Sequence, residues 1–283
     1  MDELDALRLR AARARALVVR MVRAGGAGHM GGALSCIDIV TAAYFFAMLH
    51  DPGNPALPDR DRFVLSAGHK AMAQYAVLAE AGYFPVEVLD TYGRLGSKIP
   101  GHPDMHKLPG IEANTGALGH GLSICTGMAL GLRLRHAGSA VPRVFTVLGD
   151  GELPEGSNWE AIAAAAHHRV DNLTAFIDCN GLQISGRTAD VMNLAPVAAK
   201  FEAFGWATRS IDGNDMAQVV AAFDAVPFTP GRPSAIVATT VKAKGLSFAE
   251  DKAAYHYWKA TEEELAQAEA ETAAAIAELE ALA

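Results

Sequence analysis

Four short runs of β-branched, aromatic and other apolar residues divide the chain, at residues 62–66, 143–148, 173–178 and 234–241. None of them alternates cleanly between apolar and polar positions. Strands that are buried on both faces have this pattern, whereas a strand with one wet face alternates. The four runs therefore predict the buried strands of a central sheet.

Helical patterns lie between and around these runs, at residues 37–49, 70–81, 122–136, 158–168 and 216–226. Strands that alternate with helices predict an α/β fold with a mostly parallel sheet. Ligands of such folds bind outside the carboxyl ends of the strands. Three of the predicted strands end in glycine-bearing or polar segments, and we expect the functional site there.

The N-terminal segment predicts an amphipathic helix and not a targeting peptide. Six arginines lie between Arg8 and Arg23, but Asp2, Glu3 and Asp5 are acidic, and transit peptides are poor in acidic residues. Apolar residues also recur at three- and four-residue steps, as on the buried face of a helix. They are Leu4, Leu7, Ala11, Ala14, Val18 and Met21.

The C-terminal segment 261–283 has a different composition. Thr261 followed by Glu264 forms a capping box, and the Ala/Glu/Leu-rich residues after it favour a helix. We expect this helix to pack on the edge of one large domain, residues 1–260, or on a partner. It offers no candidate for catalysis.

Composition narrows the class of protein. A chain of 283 residues with 51% hydrophobic and 20% charged residues predicts a folded globular protein. The net charge of −8 gives no electrostatic case for nucleic acid, and the most apolar run, 42–49, is too short to span a bilayer. Three widely spaced cysteines predict neither disulfides nor a zinc site, which favours the cytoplasm.

Two strand ends offer hard oxygen ligands. Gly-Asp-Gly at 149–151 follows one buried strand, and Asn180 follows the next. An Asp-Gly pair is most often only a turn. A carboxylate and a carboxamide at neighbouring strand ends nevertheless suit Mg²⁺ or Ca²⁺, and such a metal keeps positions for phosphate oxygens. The pairing therefore predicts a binding site for a diphosphate.

This spacing resembles the signature of thiamine-diphosphate enzymes, and the segment 149–161 (GDGELPEGSNWEA) resembles the transketolase family. The resemblance implies a three-layer α/β/α, diphosphate-binding (PP-type) domain. It implies that Asp150 and Asn180 bind the metal by their side chains and Leu182 by its backbone carbonyl. Gly151 would donate its N–H to the cofactor diphosphate.

Four further segments resemble the same family in the same order: 28–32, 62–69, 97–103 with 115–121, and 242–245 followed by His256. The resemblance implies catalytic or substrate-contacting roles for His29, His102 and His256. It also implies that His69 contacts the diphosphate. The implied cofactor-binding residues are His69, Gly116, Ala117, Leu118, Asp150, Gly151, Glu155 and Asn180.

Glu155 and Glu160 have two interpretations. They suit the first turns of an exposed helix, where carboxylates favour the helix dipole. The resemblance instead implies a link between two active sites.

Three residues depart from the pattern of the family. They are Met30 where proline is usual, His120 where glutamine is common, and Cys179 where a first asparagine is common.

The resemblance implies an activity that this chain performs with a partner. Thiamine diphosphate stabilises a carbanion, and a transketolase passes the resulting two-carbon unit from a ketose to an aldose phosphate. The resemblance implies that the required glutamate lies in a second, pyrimidine-binding domain, which we expect to lie outside this chain. We therefore expect a separate C-terminal subunit to supply it, in an α2β2 heterotetramer.

Three alternatives stay open. One is another thiamine-diphosphate activity, such as 1-deoxyxylulose-5-phosphate synthesis. Another is a transketolase specialised for branched or sulfonated ketoses, towards which Met30 and His120 are mild indications. The third is a cofactor-binding scaffold subunit without turnover, which the retained histidines disfavour. Neither a Walker loop nor a dinucleotide Gly-x-Gly-x-x-Gly occurs in the sequence.

Overall fold

A computed structural model of the chain describes residues 2–137 and 140–282. Its main sheet has five parallel strands in the order β2-β3-β4-β6-β5. These strands are β2 (Arg62–Leu65), β3 (Val144–Gly149), β4 (Leu173–Cys179), β5 (Ala207–Asp212) and β6 (Ser234–Thr239). A second, two-stranded antiparallel sheet pairs β1 (Ala27–Gly28) with β7 (Trp258–Lys259).

Helices cover both faces of the main sheet. They are α1 (Glu3–Gly25), α2 (Met30–Ala42), α3 (Ala71–Glu80), α4 (Gly121–Arg135), α5 (Gly156–His167), α6 (Thr188–Val191), α7 (Val197–Ala203), α8 (Met216–Asp224) and α9 (Glu262–Glu280). A π-helical turn, Ala43–Ala47, continues α2. The predicted α/β fold with a parallel sheet is confirmed.

The sheet separates two hydrophobic cores. Phe145 and Val147 of β3 point into the core built with α1, α2, α3 and α8, whereas Val144 and Leu148 point into the core built with α4, α5 and α7. All six residues of β3 are buried, since both faces are covered. This burial explains why the run lacked alternation, and it gives the three-layer α/β/α arrangement.

Helix α2 lies at the centre of the first core, and all 13 of its residues are buried. The segment Met30–Ala47 is long and apolar enough to cross a membrane by length and composition, but 83% of that window is buried inside the protein. A helix that is apolar all round suits such a core position. The prediction of a helix at 37–49 was wrong about its start, because α2 begins at Met30.

The C-terminal helix α9 packs along α1. Its buried residues are Leu265, Ala268 and Thr272, and its acidic side chains pair with α1, as between Glu269 and Arg23. The predicted capping box is present, because Thr261 Oγ1 accepts a hydrogen bond from the backbone N–H of Glu264. Within the chain, this helix therefore covers the edge of the domain.

Candidate active site

A cleft of about 300 Å³ opens at the carboxyl ends of β2, β3 and β4. Each of these strands ends in a turn: Gly68–Lys70 after β2, Asp150–Glu152 after β3, and Asn180 directly after β4. Because the three strands are parallel neighbours, their final turns lie side by side. The cleft is therefore where the strand pattern predicted it.

Asp150, Asn180 and Leu182 present three kinds of oxygen to the cleft. The Asp150 carboxylate accepts the backbone N–H of Gly151 at 2.9 Å and of Gly181 at 2.8 Å, one on each oxygen. Asn180 Oδ1 accepts the N–H of Leu182 at 3.1 Å. These bonds fix the orientation of the ligand groups, and each oxygen retains capacity for a second interaction.

The charge of Asp150 is not neutralised by a direct partner among the described residues. Burial, and then the nearby Asp178 carboxylate, raises the pKa of Asp150 above its ordinary value. A carboxylate, an amide oxygen and a backbone carbonyl together suit a hard divalent cation. No group of three or more His, Cys, Asp or Glu residues suited to a metal occurs in residues 2–137 and 140–282, and the set at the cleft has only one such residue, Asp150.

A buried ion pair lies beneath the cleft. Lys70 Nζ donates to Asp178 Oδ2 at 2.5 Å, and the two side chains are only 3% and 0% exposed. Ser35 and Thr240 also donate hydroxyl hydrogen bonds to this carboxylate. Burial alone would lower the pKa of Lys70, but the Asp178 charge raises it above its ordinary value, so the lysine stays charged.

A second lysine, Lys242, also lines the cleft. Lys242 Nζ donates to the Leu182 carbonyl at 3.3 Å and lies 3.1 Å from His256 Nδ1. Burial, followed by the charge of Lys70, lowers the pKa of Lys242 to about 8. The cleft therefore carries two cationic groups near the predicted diphosphate position.

Histidine side chains form one cluster in the cleft. The ring centroids of His29, His69 and His256 are mutually 5.3–5.5 Å apart, and that of His102 lies 6.0 Å from His29. Burial lowers the pKa of His69 to about 2 and that of His256 to about 3, and it lowers that of His29 in the same direction. These three imidazoles are therefore neutral at physiological pH.

Neutral imidazoles each carry one donor and one acceptor nitrogen. Within the described part of the chain, no protein group hydrogen-bonds to the ring nitrogens of His29 or His69, although both residues line the cleft. Such nitrogens suit the hydroxyl and carbonyl oxygens of a polar ligand. An imidazole can also take a proton from one oxygen and return it to another, as general acid–base chemistry requires.

Nine of the predicted residues line the cleft. They are His29, His69, Gly116, Leu118, Asp150, Gly151, Asn180, Leu182 and His256. Three others lie outside that lining: His102, Ala117 and Glu155, all of which are exposed. Glu155 precedes α5 as its N-cap residue, and Glu160 is exposed within the same helix. Their roles stay predictions.

Gly116 explains how His102 comes close to the cleft. Its φ is +139°, and a Cβ there would lie 2.8 Å from Cδ2 of the His102 ring. Only glycine accepts both that backbone conformation and that approach. The loop of Gly116 therefore lies directly against His102.

The three residues that depart from the family pattern lie in different environments. Met30 is buried in the first core, and His120 is exposed, with Nδ1 3.1 Å from the Leu118 carbonyl. Burial, followed by the Asp150 charge, raises the pKa of Cys179, so its thiol stays protonated at physiological pH. All three cysteines are free.

Sequence reasoning missed Lys70, Asp178 and Glu152 as site residues. Glu152 is buried and accepts hydrogen bonds from Ser66 Oγ at 2.6 Å and from the N–H groups of Gly119 at 3.0 Å and Gly149 at 3.2 Å. Burial raises its pKa. The sequence did contain a signal for Asp178, because this charged residue lies within a run that predicts a buried strand. A buried charge needs a partner, and that requirement points to a site.

The fold and the cleft define a three-layer α/β domain that binds an anionic cofactor at the carboxyl ends of its strands. Residues 8–276 match the family described as transketolase, thiamine diphosphate binding domain. The chain belongs to the transketolase family, as its N-terminal, thiamine-diphosphate-binding part. The enzymes of this family are transferases.

Two relatives match this chain over nearly their whole length. The 6-deoxy-6-sulfo-D-fructose transketolase subunit SqwG of Clostridium sp. (strain MSTE9) is 45% identical over 88% of this chain and 90% of that protein. An apulose-4-phosphate transketolase subunit from Phocaeicola vulgatus is 40% identical over 98% of both chains. Both names describe subunits, and both describe unusual ketoses.

Solved transketolases share the fold. The enzyme from Campylobacter jejuni superimposes with a TM-score of 0.88 at 30% identity, covering 99% of this chain and 46% of that one. The enzyme from Leishmania mexicana gives 0.87 at 26% identity, covering 99% of this chain and 45% of that one. This chain therefore spans slightly less than half the length of those solved chains.

Proposed function

We propose that the chain is the N-terminal subunit of a two-chain transketolase and that a C-terminal subunit completes its active site. The observation that carries the proposal is the cleft, in which a hard-oxygen ligand set and a cluster of neutral histidines meet. Its relatives of nearly equal length are named as subunits, which supports a separate partner. The partner would supply the pyrimidine-binding domain and the catalytic glutamate, in an α2β2 assembly.

In this proposal Asp150, Asn180 and the Leu182 carbonyl hold Mg²⁺ or Ca²⁺. Thiamine diphosphate, when bound, supplies the carbanion-stabilising carbon centre of the reaction. Lys70 and Lys242 provide positive charge for its diphosphate, and Gly151, Gly116 and Leu118 face it. His29, His102 and His256 bind the sugar and move protons between its oxygens.

We further propose that the donor is an unusual ketose, branched or sulfonated, and that an aldose phosphate accepts the two-carbon unit. The names of the two relatives support this direction. Three free cysteines support a reducing compartment, the cytoplasm. 1-Deoxyxylulose-5-phosphate synthesis is not favoured, since the relatives are transketolases.

Calorimetric titration of thiamine diphosphate with Mg²⁺ tests the proposal, first with this chain and then with the chain mixed with its candidate partner. We expect tight binding in the mixture and a loss of at least about 100-fold in Asp150→Ala, because a ligand of the metal is removed. Asp224→Asn, at an exposed position of α8, is the matched control. Absence of binding in every sample would remove the cofactor and the assignment together.

A further inference from the structure

The small sheet of β1 and β7 places an unassigned aromatic residue beside the histidine cluster. Its antiparallel register pairs Ala27 with Lys259 and Gly28 with Trp258. Continuing this register by one residue places Tyr257 opposite His29. The two rings contact edge to face, with centroids 4.8 Å apart and an interplanar angle of 74°.

Tyr257 differs from the aromatic residues around it. Trp258 is 2% exposed and packs with Phe248 and Tyr255, whereas Tyr257 is 48% exposed. In residues 2–137 and 140–282 no protein group hydrogen-bonds to the Tyr257 hydroxyl. A half-exposed phenol with a free hydroxyl therefore stands at the side of His29, a residue that lines the cleft.

One carboxylate of α9 holds the residues on both sides of the segment 256–257. Glu264 accepts hydrogen bonds from the Tyr255 hydroxyl at 2.8 Å and from Trp258 Nε1 at 3.0 Å. The same side chain accepts the Thr261 N–H at 3.1 Å in the capping box. Both neighbours of the segment 256–257 are thus tied to the start of α9.

The bonds to Glu264 hold the chain on both sides of Tyr257, and the His29 ring contacts the phenol itself. Immobilising a side chain during binding costs free energy, and a residue that is already held avoids that cost. An aromatic ring next to neutral imidazoles also suits a polyhydroxylated ligand, since its hydroxyl bonds sugar oxygens and its face contacts C–H groups. Lys, Arg or carboxylate groups at this position would instead select for charge.

We propose that Tyr257 contacts the donor ketose and helps to select it, and that Glu264 is a positioning residue for Tyr257 and His256. The inference rests on the proposed function and deepens it, because it concerns which sugar the same cleft accepts. It gives the C-terminal helix a role in the site, whereas its sequence indicated only packing.

The first experiment uses the assembled two-chain enzyme and compares wild type with Tyr257→Phe and Tyr257→Ala. The measurement is kcat and KM for a panel of ketose donors, phosphorylated, branched and sulfonated. We expect Tyr257→Phe to raise the KM of the preferred donor about three- to tenfold, as for one lost hydrogen bond. Tyr257→Ala should also flatten the ratio of kcat/KM between donors, with thiamine diphosphate affinity unchanged from wild type.

Three results would overturn the inference. An active Tyr257→Ala enzyme with unchanged donor ratios would exclude a contact with the donor. Failure of that variant to assemble with the partner would assign the residue to the contact between the two chains instead. A wild-type complex that binds the cofactor but cleaves no ketose would remove the proposed function, and the donor contact with it.

The positioning role is tested separately by Glu264→Ala and Thr261→Ala. Both changes weaken the cap of α9, but only the first removes the bonds to Tyr255 and Trp258. We expect donor ratios in Glu264→Ala to move in the same direction as in Tyr257→Ala, with Glu264→Gln partly restoring them. Thr261→Ala should lower the melting temperature and leave the ratio of kcat/KM between donors unchanged. A ratio in Glu264→Ala equal to that of wild type and Thr261→Ala would exclude positioning by Glu264.

Discussion

Two of the ion pairs of this molecule can be compared, one at the carboxyl ends of the strands and one on the outer face of α1. Beneath the cleft, the Lys70–Asp178 pair is 3% and 0% exposed, and hydroxyl groups complete its hydrogen bonding. On α1, Arg20 pairs with Asp90 by two hydrogen bonds, but the side chains are 38% and 47% exposed. Both pairs are in direct contact, and they differ in their access to solvent.

The difference shows where the loss of one charged partner destabilises the fold most. A charge that leaves water must be compensated by partners, and losing one partner leaves the other buried and unpaired. An exposed pair gains little, because water and salt replace each partner when the other is removed. The cleft region is therefore the costly one, and it is also the region that faces the proposed cofactor.

The largest effect is expected from Lys70→Met, which leaves the Asp178 carboxylate buried without its cation. We expect this change to lower the free energy of unfolding by about 3–5 kcal/mol. Adding Asp178→Asn to Lys70→Met removes the unpaired carboxylate. The double variant Lys70→Met/Asp178→Asn should therefore recover part of the lost stability, and Asp178→Asn alone completes the set. Urea unfolding followed by circular dichroism measures all three variants.

A loss in Lys70→Met as small as that of a surface lysine variant, such as Lys107→Met at an exposed position, would contradict this expectation. It would mean that water reaches Asp178 in the folded protein. Burial would then not distinguish the Lys70–Asp178 pair from the Arg20–Asp90 pair.

An intermediate effect is expected from pH. The pKa of His69 is about 2 in the folded protein, against 6.5 ordinarily, so the unfolded chain binds more protons than the folded one between these values. The contribution of His69 to the free energy of unfolding is fully present above about pH 6.5, and it is lost progressively as the pH decreases towards 2. The slope is at most about 1.4 kcal/mol per pH unit.

His69→Asn isolates this contribution. The difference in unfolding free energy between wild type and variant should stay constant above about pH 7. As the pH falls to 5, the unfolding free energy of wild type should decrease relative to that of the variant, because only wild type has this histidine to protonate on unfolding. Asp150 and Glu152 act in the opposite direction through their raised pKa values, but they are common to both proteins. Parallel curves over the whole range would mean that folding does not lower the pKa of His69.

The sequence predicted four of the five strands of the main sheet and missed β5. The four buried strands were recognised because both faces of each are covered, which leaves a continuous apolar run. The edge strand β5 was missed, because exposed residues such as Arg209 and Ser210 interrupt such a run. The early start of α2 was missed because Gly31 and Gly32 suggest a loop.

Those two glycines are in the helix for a packing reason. A Cβ on Gly31 would lie 2.5 Å from the Tyr255 carbonyl, and one on Gly32 would lie 3.1 Å from Lys70 Cγ. Close approach of another segment requires glycine there, and a local pattern does not show which segment approaches. The same limit applies to the site: Asp150 and Asn180 follow recognisable strand ends, but the pairing of Lys70 with Asp178 depends on tertiary structure.

The smallest effect is expected on α1, where Arg20→Gln and Asp90→Asn form a double-mutant cycle. The coupling free energy should be about 0.2–1 kcal/mol at low salt, since two exposed side chains gain little from pairing. It should decrease further at about 0.5 M salt, because screening acts on exposed charges. Urea unfolding of the four proteins gives the value, and the Lys70–Asp178 cycle under the same conditions provides the reference. A coupling free energy for Arg20–Asp90 as large as that for Lys70–Asp178, or one that salt does not change, would contradict this expectation. It would mean that solvent exposure does not determine how much an ion pair stabilises this fold.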